Sequence, residues 1–538
     1  MPKRRFALPP FAGTLCLLVL SLVPSLVSAQ VPSRHVHFIV KAPADLTAPL
    51  SGRLLIFLKA GAEDKEVDAN EMHPASTWVG AREVENFRAG SSVEVDPDAE
   101  DIAFPTPFAS IPAGTYEIQA VLDVDHTYNY SGRTTQDWIS PVVTLAHWTP
   151  GEGAEPTLEL TGHPEDNPAR AAAMAKARAA AVPGVGQMER LQSPVLTSFW
   201  GHPVFVQAWV ILPPGYSSRS KQRYPTVYWA AGFGGEMDYG LETGMRIRDR
   251  MNQGKMPPMI WVMLDESCAE GTHEFANSAN NGPWGTALTT EFIPYLEGKY
   301  RMDARATGRF LNGHSSGGWA TLQLEVNYPK IFGGTWSTSP DPSDFHNFTG
   351  PDLYAANANM YRKADGSARP LVRVDGKVVA TVQQYTQLER VLGPYGGQMA
   401  SFDWVFSPKS KSGAPEQMFN RTTGDVNPAV VAYWRDHYDL AHIVETNWTQ
   451  LKPDLKGRIH LFVGTADTFY LDGSAHLFEG VLKRVGADPH FTYLPGRSHF
   501  DLYFVGKDHG GLFDQISAEM YAVARPKSHW QVSTSAAH

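Results

Sequence analysis

The 538-residue chain is poor in several features that would narrow its class at once. It has only two cysteines, Cys16 and Cys268. Two cysteines cannot supply a multi-disulfide framework or a cysteine-rich metal cluster, so the fold has to rest on its core, and a chain of this length can bury a large one. No window offers the roughly 18 consecutive apolar residues of a spanning helix. Charged residues make up 19% against 43% hydrophobic, which excludes a disordered polyelectrolyte. Positive charge is scarce as well: 46 Lys and Arg stand against 56 Asp and Glu, a net charge of −10, and no basic cluster lies beyond the first five residues. A nucleic-acid partner is therefore not expected. There is no phosphate loop or dinucleotide fingerprint, so no cofactor is implied.

What is present begins with a leader. Lys3, Arg4 and Arg5 precede an apolar run over residues 11–23 and the small residues Val27, Ser28 and Ala29. This is the layout of a signal peptide over residues 1–29, the alternative being an N-terminal anchor. The reading predicts a secreted or periplasmic chain, without stable membrane insertion once the leader is removed, that keeps only Cys268. A disulfide-free exported chain suits a bacterial periplasm or medium.

Short segments rich in β-branched and aromatic residues follow at 36–40, 53–58, 92–95, 114–124, 141–145 and 157–160, with turn formers between them. They predict a β-sandwich accessory domain over residues 30–165. The Ala-rich stretch 169–181, stopped by Pro183-Gly184, predicts a helical linker within 166–186. From residue 187 strands alternate with helices. Strands are expected at 204–212, 226–231, 259–264, 309–312, 459–463 and 491–494, and helices at 288–296, bent at Pro294, and at 319–326 and 475–485. Apolar runs without alternation are the mark of parallel strands buried on both faces. The pattern predicts a doubly wound α/β domain over 187–525, followed by a tail over 526–538. Residues 341–457 break the rhythm and are too long for a plain connection. They read as an insertion whose aromatics either cover the active-site face or form a small core of their own.

Gly313-His314-Ser315-Ser316-Gly317 matches G-x-S-x-G between a strand and a helix. A tight turn with glycines around the serine exposes its hydroxyl above the sheet, which makes Ser315 the candidate nucleophile, with Ser316 a rival out of register with the glycines. A serine hydroxyl needs a base to take its proton, and in this fold the order along the chain is Ser, acid, His. Asp467 follows the strand 459–463, and His499 follows the strand 491–494. The two stand 32 positions apart, with room between them for one helix and one strand. His499 is read as general base and then acid, and Asp467 as the group that orients its ring. Asp472 is the runner-up acid, and His490 and His509 are the rival histidines. An oxyanion hole needs two N–H donors: Ser316, and Phe233 in the glycine-rich Gly232-Phe233-Gly234-Gly235. Gly232, Gly234, Trp319 and Asp265 are candidates on the substrate side. For Trp319, as for Trp284, the competing reading is core; for Asp265 it is a loop cap. Asp123, Asp125 and His126 carry metal-binding side chains, but a solvated strand end explains them, and no metal site is expected.

On these residues the segment from about 204 to 503 resembles the bacterial esterase family of α/β-hydrolases, the esterase D and enterochelin-esterase-like group. The matching stretches are Leu212-Pro213-Pro214-Gly215-Tyr216, residues 224–232, Phe292-Ile293-Pro294-Tyr295, residues 313–318, Tyr328-Pro329 with Phe332, and Gly464 to Asp467 with Pro495 to His499. The resemblance implies an α/β-hydrolase fold carrying Ser315, Asp467 and His499 as a triad, with Phe233 and Ser316 as oxyanion donors. It implies a serine carboxylesterase working through an acyl-enzyme, and the leader makes it a secreted one. The substrate would be a small-molecule or polymer-linked extracellular ester: a polysaccharide-linked acyl or feruloyl group, or a siderophore-type ester. The chain departs from the family at Ala231-Gly232, where members often have His-Gly, and in the length of the 341–457 insertion. A serine peptidase, an acyltransferase and a catalytically inactive binding protein are the alternatives.

Overall fold

Apolar strands that bury both faces organise the larger part of the molecule. The computed structural model describes residues 35–528 and 530, apart from 62, 63, 100 and 101. The expected leader over 1–29, with Cys16, and most of the expected C-terminal tail lie outside the described residues. Among the described residues, eight strands form one sheet in the order Gly186–Gln192, Phe205–Ile211, Ile260–Leu264, Thr226–Ala230, Arg309–His314, Thr335–Thr338, Ile459–Gly464 and His490–Leu494. The first two pairings are antiparallel and the rest parallel. Helices Met237–Asn252 and Gly511–Ala524 cover one face through Leu241, Ile247, Leu512 and Ile516. Leu288, Phe292 and Leu324 cover part of the other. This is the α/β-hydrolase arrangement, and the parallel strands all end at one edge, where such sheets place their sites. The expected helix at 288–296 is a π-helical turn, Leu288–Phe292, running into the helix Ile293–Lys299. Pro294 stands in the first turn of that second helix, where its missing N–H costs least.

Two further sheets form from residues 38–159. One orders the strands Ser92–Val95, Phe38–Lys41 and Thr157–Glu159. The other orders Ala103–Phe104, Trp78–Phe87, Leu50–Ala60, Gly114–Asp123 and Trp138–Ile139, with Val143–Trp148 also paired to Gly114–Asp123. Phe38 and Val40 from the smaller sheet and Leu54, Ile56, Leu58, Ile118 and Ala120 from the larger share one core. The opposite face of the larger sheet is buried too. Leu55, Phe57, Val79 and Val121 pack against Leu388, Val391 and Leu392 of the helix Val382–Leu392, which lies inside the long insertion. The unbroken apolar run over 54–58 is thus that of a strand covered on both sides. The strand Trp78–Phe87 escapes the sequence reading because Arg82, Glu83 and Glu85 interrupt its apolar pattern.

The Ala-rich stretch is the helix Pro168–Ala180. Asn167 caps it by accepting the Ala169 and Arg170 amides at 3.0 and 3.2 Å, with Pro168 at the first position. It lies against Met237–Asn252, with Arg178 on Asp238 at 2.8 Å. The insertion holds the helices Val382–Leu392, Gln398–Phe406, Pro428–Tyr438 and Leu440–Leu455. Its aromatics Phe402, Phe406, Trp434 and Tyr438 merge with Trp319 and Leu461 into one core, while other residues of the same segment reach the site described below. No helix among the described residues is long and apolar enough to cross a membrane.

Candidate active site

The strand Arg309–His314 runs straight into the helix Ser316–Asn327, and Ser315 makes the turn with φ 59° and ψ −126°. A serine in this region is strained, and the surroundings hold it there. The Ser315 N–H donates to the Thr338 carbonyl at 3.1 Å, and its carbonyl accepts the Trp319 and Asp341 amides at 3.0 and 3.2 Å. Gly317 allows the turn to close: a Cβ there would lie 2.4 Å from the Ala230 carbonyl oxygen. The Ser316 hydroxyl is buried and donates to Asp341 at 2.6 Å, so it points away from the position that Ser315 occupies.

Asp467 and His499 come together from the ends of two neighbouring strands. His499 Nδ1 meets Asp467 Oδ2 at 3.0 Å, with the side chains 4% and 0% exposed. The other carboxylate oxygen of Asp467 accepts the Phe469 and Leu471 amides at 2.9 and 3.3 Å. Burial alone would push this carboxyl up. The His499 ring and the two amides outweigh burial and hold it below its ordinary value. Phe469, Phe500 and His314 surround the His499 ring, with centroids 5.0, 5.4 and 4.4 Å away. The His314 ring is pushed down to about 3 by burial and by its histidine neighbour, so it stays neutral. The rivals are occupied elsewhere. Asp472 pairs with Arg373 at 3.0 Å, His490 stacks on His460, and His509 stacks on Phe504.

The loop after Thr226–Ala230 approaches the elbow closely. Gly232 has φ 101°, and a Cβ there would sit 2.5 Å from the His314 carbonyl oxygen. Its amide donates to the buried carboxyl of Glu266 at 2.6 Å. That carboxyl is pushed up to about 8 by burial, against the pull of the Gly232 amide. The N-terminal sheets clasp the same loop: the Tyr130 hydroxyl donates to the Gly235 carbonyl at 3.0 Å, and its ring meets Phe233 edge-on at 5.0 Å.

A strained serine at a strand–helix turn and a buried Asp–His pair on the same sheet edge form the arrangement shared by serine hydrolases of this fold. A sequence model of the family described as "Putative esterase" matches residues 205–475. The chain belongs to this family. A curated esterase of Mycobacterium tuberculosis (strain H37Rv) is 33% identical over 132 residues, which are 24% of this chain and 28% of that protein. The chain thus spans well under a third of the length of the curated relatives it matches. Among solved structures, a ferulic acid esterase is similar at 15% identity, covering 63% of this chain and 98% of its own, with a TM-score of 0.39. An S-formylglutathione hydrolase from Staphylococcus aureus is similar at 15% identity, with the same coverages and a TM-score of 0.36.

In this esterase-family chain Ser315 and His499 open on one cavity of about 510 Å³. Phe233 and Gly234 line it beside them. Three of the four expected substrate-side residues, Gly232, Trp319 and Asp265, do not. Trp319 is 1% exposed, packed on Phe406 at 4.7 Å in the core, because the first turns of its helix lie under the insertion. Asp265 instead accepts from Gln207 at 2.7 Å and from Ser267 at 2.7 Å, which makes it a loop cap. Asp123, singled out with His126, accepts the Thr127 and Tyr128 amides, both at 3.1 Å, and His126 pairs with Glu83. Cys268 is a free thiol. Phe402, one of the insertion aromatics expected to cover the active-site face, lines the cavity, but sequence reasoning missed Glu71, Met72, Leu371, Tyr385 and Gln398, which line it from the N-terminal sheets and the insertion. No local pattern marks them, since each arrives through a contact distant in sequence.

Proposed function

We propose that the chain is a secreted serine carboxylesterase with Ser315 as nucleophile, His499 as base and acid, and Asp467 as the group orienting His499. The observation that carries the reading is the buried 3.0 Å His499–Asp467 contact beside a strained serine on one cavity. Asp467 occupies Nδ1, which leaves Nε2 as the ring nitrogen for the serine proton. In the first step Ser315 Oγ attacks the ester carbonyl carbon as its proton passes to His499. The tetrahedral oxyanion is placed at the Phe233 and Ser316 amides. Its collapse expels the alcohol, which takes the proton from His499, and leaves the acyl group on Ser315. Water then repeats the sequence and releases the acid. Asp467 stays ionised throughout and stabilises the imidazolium.

In this reading residues 30–165 are a β-sandwich accessory domain, supported by the core shared between their two sheets. Residues 166–186 are the connection, and the insertion over 341–457 builds a wall of the cavity. The leader over residues 1–29 supports an extracellular or periplasmic substrate. A cavity of about 510 Å³ admits one compact acyl or aryl group, consistent with an acyl or feruloyl ester on a polymer or with a siderophore-type ester.

The test is labelling with a fluorophosphonate and mapping of the modified residue by mass spectrometry, with Ser315→Ala as control. Labelling at Ser315 with short-chain ester hydrolysis lost in the variant, on the order of 10⁶ in turnover, is the expected result. No labelling, or equal labelling of the variant, overturns the assignment and favours a binding role.

A further inference from the structure

The cavity beside Ser315 carries charge of one sign. Two carboxyl groups line it, Glu71 and Asp341, and among the described residues no lysine or arginine does. Asp341 is tied to the Ser316 hydroxyl at 2.6 Å beneath the elbow. Glu71 is differently placed. It comes from the loop between the strands Leu50–Ala60 and Trp78–Phe87, outside the esterase-family segment, and it stands with Met72 against the helices of the insertion. Met72, Leu371, Met399 and Phe402 give that end of the cavity apolar surface, beside the polar Tyr385 and Gln398.

We infer that Glu71 sets the charge selectivity of this cavity, admitting uncharged esters and turning away esters that bear a carboxylate on the group lodged there. The inference rests on the esterase reading above and names the substrate class of that same site. Like charges brought together where water is partly excluded repel strongly, and such repulsion discriminates between ligands that otherwise fit equally. The groups around Glu71 do not offset it. Asp68 and Arg133 pair on its own module, with Arg133 Nε and Asp68 Oδ2 3.7 Å apart. Tyr385 shares a hydrogen bond with it from the insertion side. Glu389, on the same helix as Tyr385, accepts the Met399 amide at 2.8 Å. Arg421, also from the insertion, is committed to Asp403 at 2.5 Å.

Glu71 is an exposed residue taken as a whole, yet desolvation at its carboxyl end pushes that group up to about 7, with Tyr385 opposing and Asp68 adding to the rise. The selectivity therefore strengthens as pH rises through neutrality and the carboxyl ionises. Glu389 and Asp341 are pushed up to about 7 and about 6, mainly by burial, so they ionise over an overlapping range and have to be separated from Glu71 by mutation.

The experiment compares 4-nitrophenyl butyrate with mono-4-nitrophenyl succinate, which differ by a terminal methyl against a carboxylate, on the full chain between pH 5.5 and 8.5. The succinate carboxylate stays ionised throughout. The expected result is a butyrate preference in kcat/KM that grows on the order of tenfold across this range and that flattens in Glu71→Gln. A preference that is flat with pH in the unaltered chain overturns the inference, and that measurement stands even if the variant fails to fold. A pH-dependent preference kept intact by Glu71→Gln also overturns it and assigns the effect to Asp341 or Glu389. Failure of the esterase reading shows separately, as absent hydrolysis of the butyrate ester or hydrolysis that survives Ser315→Ala.

Discussion

The N-terminal sheets touch the glycine-rich loop over residues 232–235 through Tyr130, and removing that contact tests whether they take part in turnover. The Tyr130 hydroxyl holds the Gly235 carbonyl at 3.0 Å, and the ring packs edge-on against Phe233 with centroids 5.0 Å apart at 77°. Tyr130→Phe removes one neutral hydrogen bond and keeps the ring, a loss of about 1 kcal/mol. If that loss falls on the placement of the Phe233 amide, kcat drops about fivefold. Tyr130→Ala removes the aromatic pair as well, worth about 0.5–1.5 kcal/mol more, so the drop should reach roughly thirtyfold. The ceiling is the loss of one oxyanion donor outright, about 2.7–4 kcal/mol. Steady-state hydrolysis of a short-chain ester by both variants, with thermal unfolding recorded alongside, gives the comparison. Wild-type kcat in Tyr130→Ala would refute the reasoning. So would a loss of activity no larger than the fraction of unfolded protein, which would reduce the clasp to a structural contact.

Two further outcomes are expected. Asp467→Asn keeps the shape of the pair but removes the acceptor that holds the His499 tautomer, and kcat should fall by about 10⁴ with folding retained. Because the folded state holds the Asp467 carboxyl below its ordinary value, that carboxylate contributes stability above the unfolded pKa of about 3.9 and loses it as pH falls through the lower folded value. Denaturant unfolding should therefore show the stability gap between the parent and Asp467→Asn narrowing on acidification; a gap that is constant with pH contradicts the pairing. Gly317→Ala drives a Cβ to within 2.4 Å of the Ala230 carbonyl oxygen, backbone that cannot swing aside. It should abolish fluorophosphonate labelling of Ser315, and normal labelling would show the turn to be more forgiving than its geometry.

The elbow was legible in the sequence because it is a local device: two glycines around a serine, after an apolar strand and before a helix. Asp467 and His499 were legible for a related reason. Each is tied to the end of its own strand, and parallel strands deliver their ends to one edge, so position relative to a strand implies position in the site. Trp319 shows where such reasoning stops. It lies four residues beyond Ser315, yet whether its ring faces the cavity or the core depends on what covers its helix, and the covering residues Phe406 and Tyr438 come from the insertion.

The sequence by itself determined six of the eight strands of the α/β sheet, missing Gly186–Gln192 and Thr335–Thr338, together with the turn at Ser315 and the two strand-end partners, because periodicity, glycine placement and strand ends act over a few residues. It held the apolar run over 54–58 in plain view but not the helix that covers its second face. The tertiary structure alone decided that the N-terminal sheets dock on the helix Val382–Leu392, and so bring Tyr130 to the glycine-rich loop over residues 232–235 and Glu71 into the cavity. Those contacts join residues hundreds of positions apart, as when Asn129 donates to the carbonyls of Glu389, Gly393 and Tyr395. They arise from burying complementary apolar faces, which leaves no short-range pattern to read.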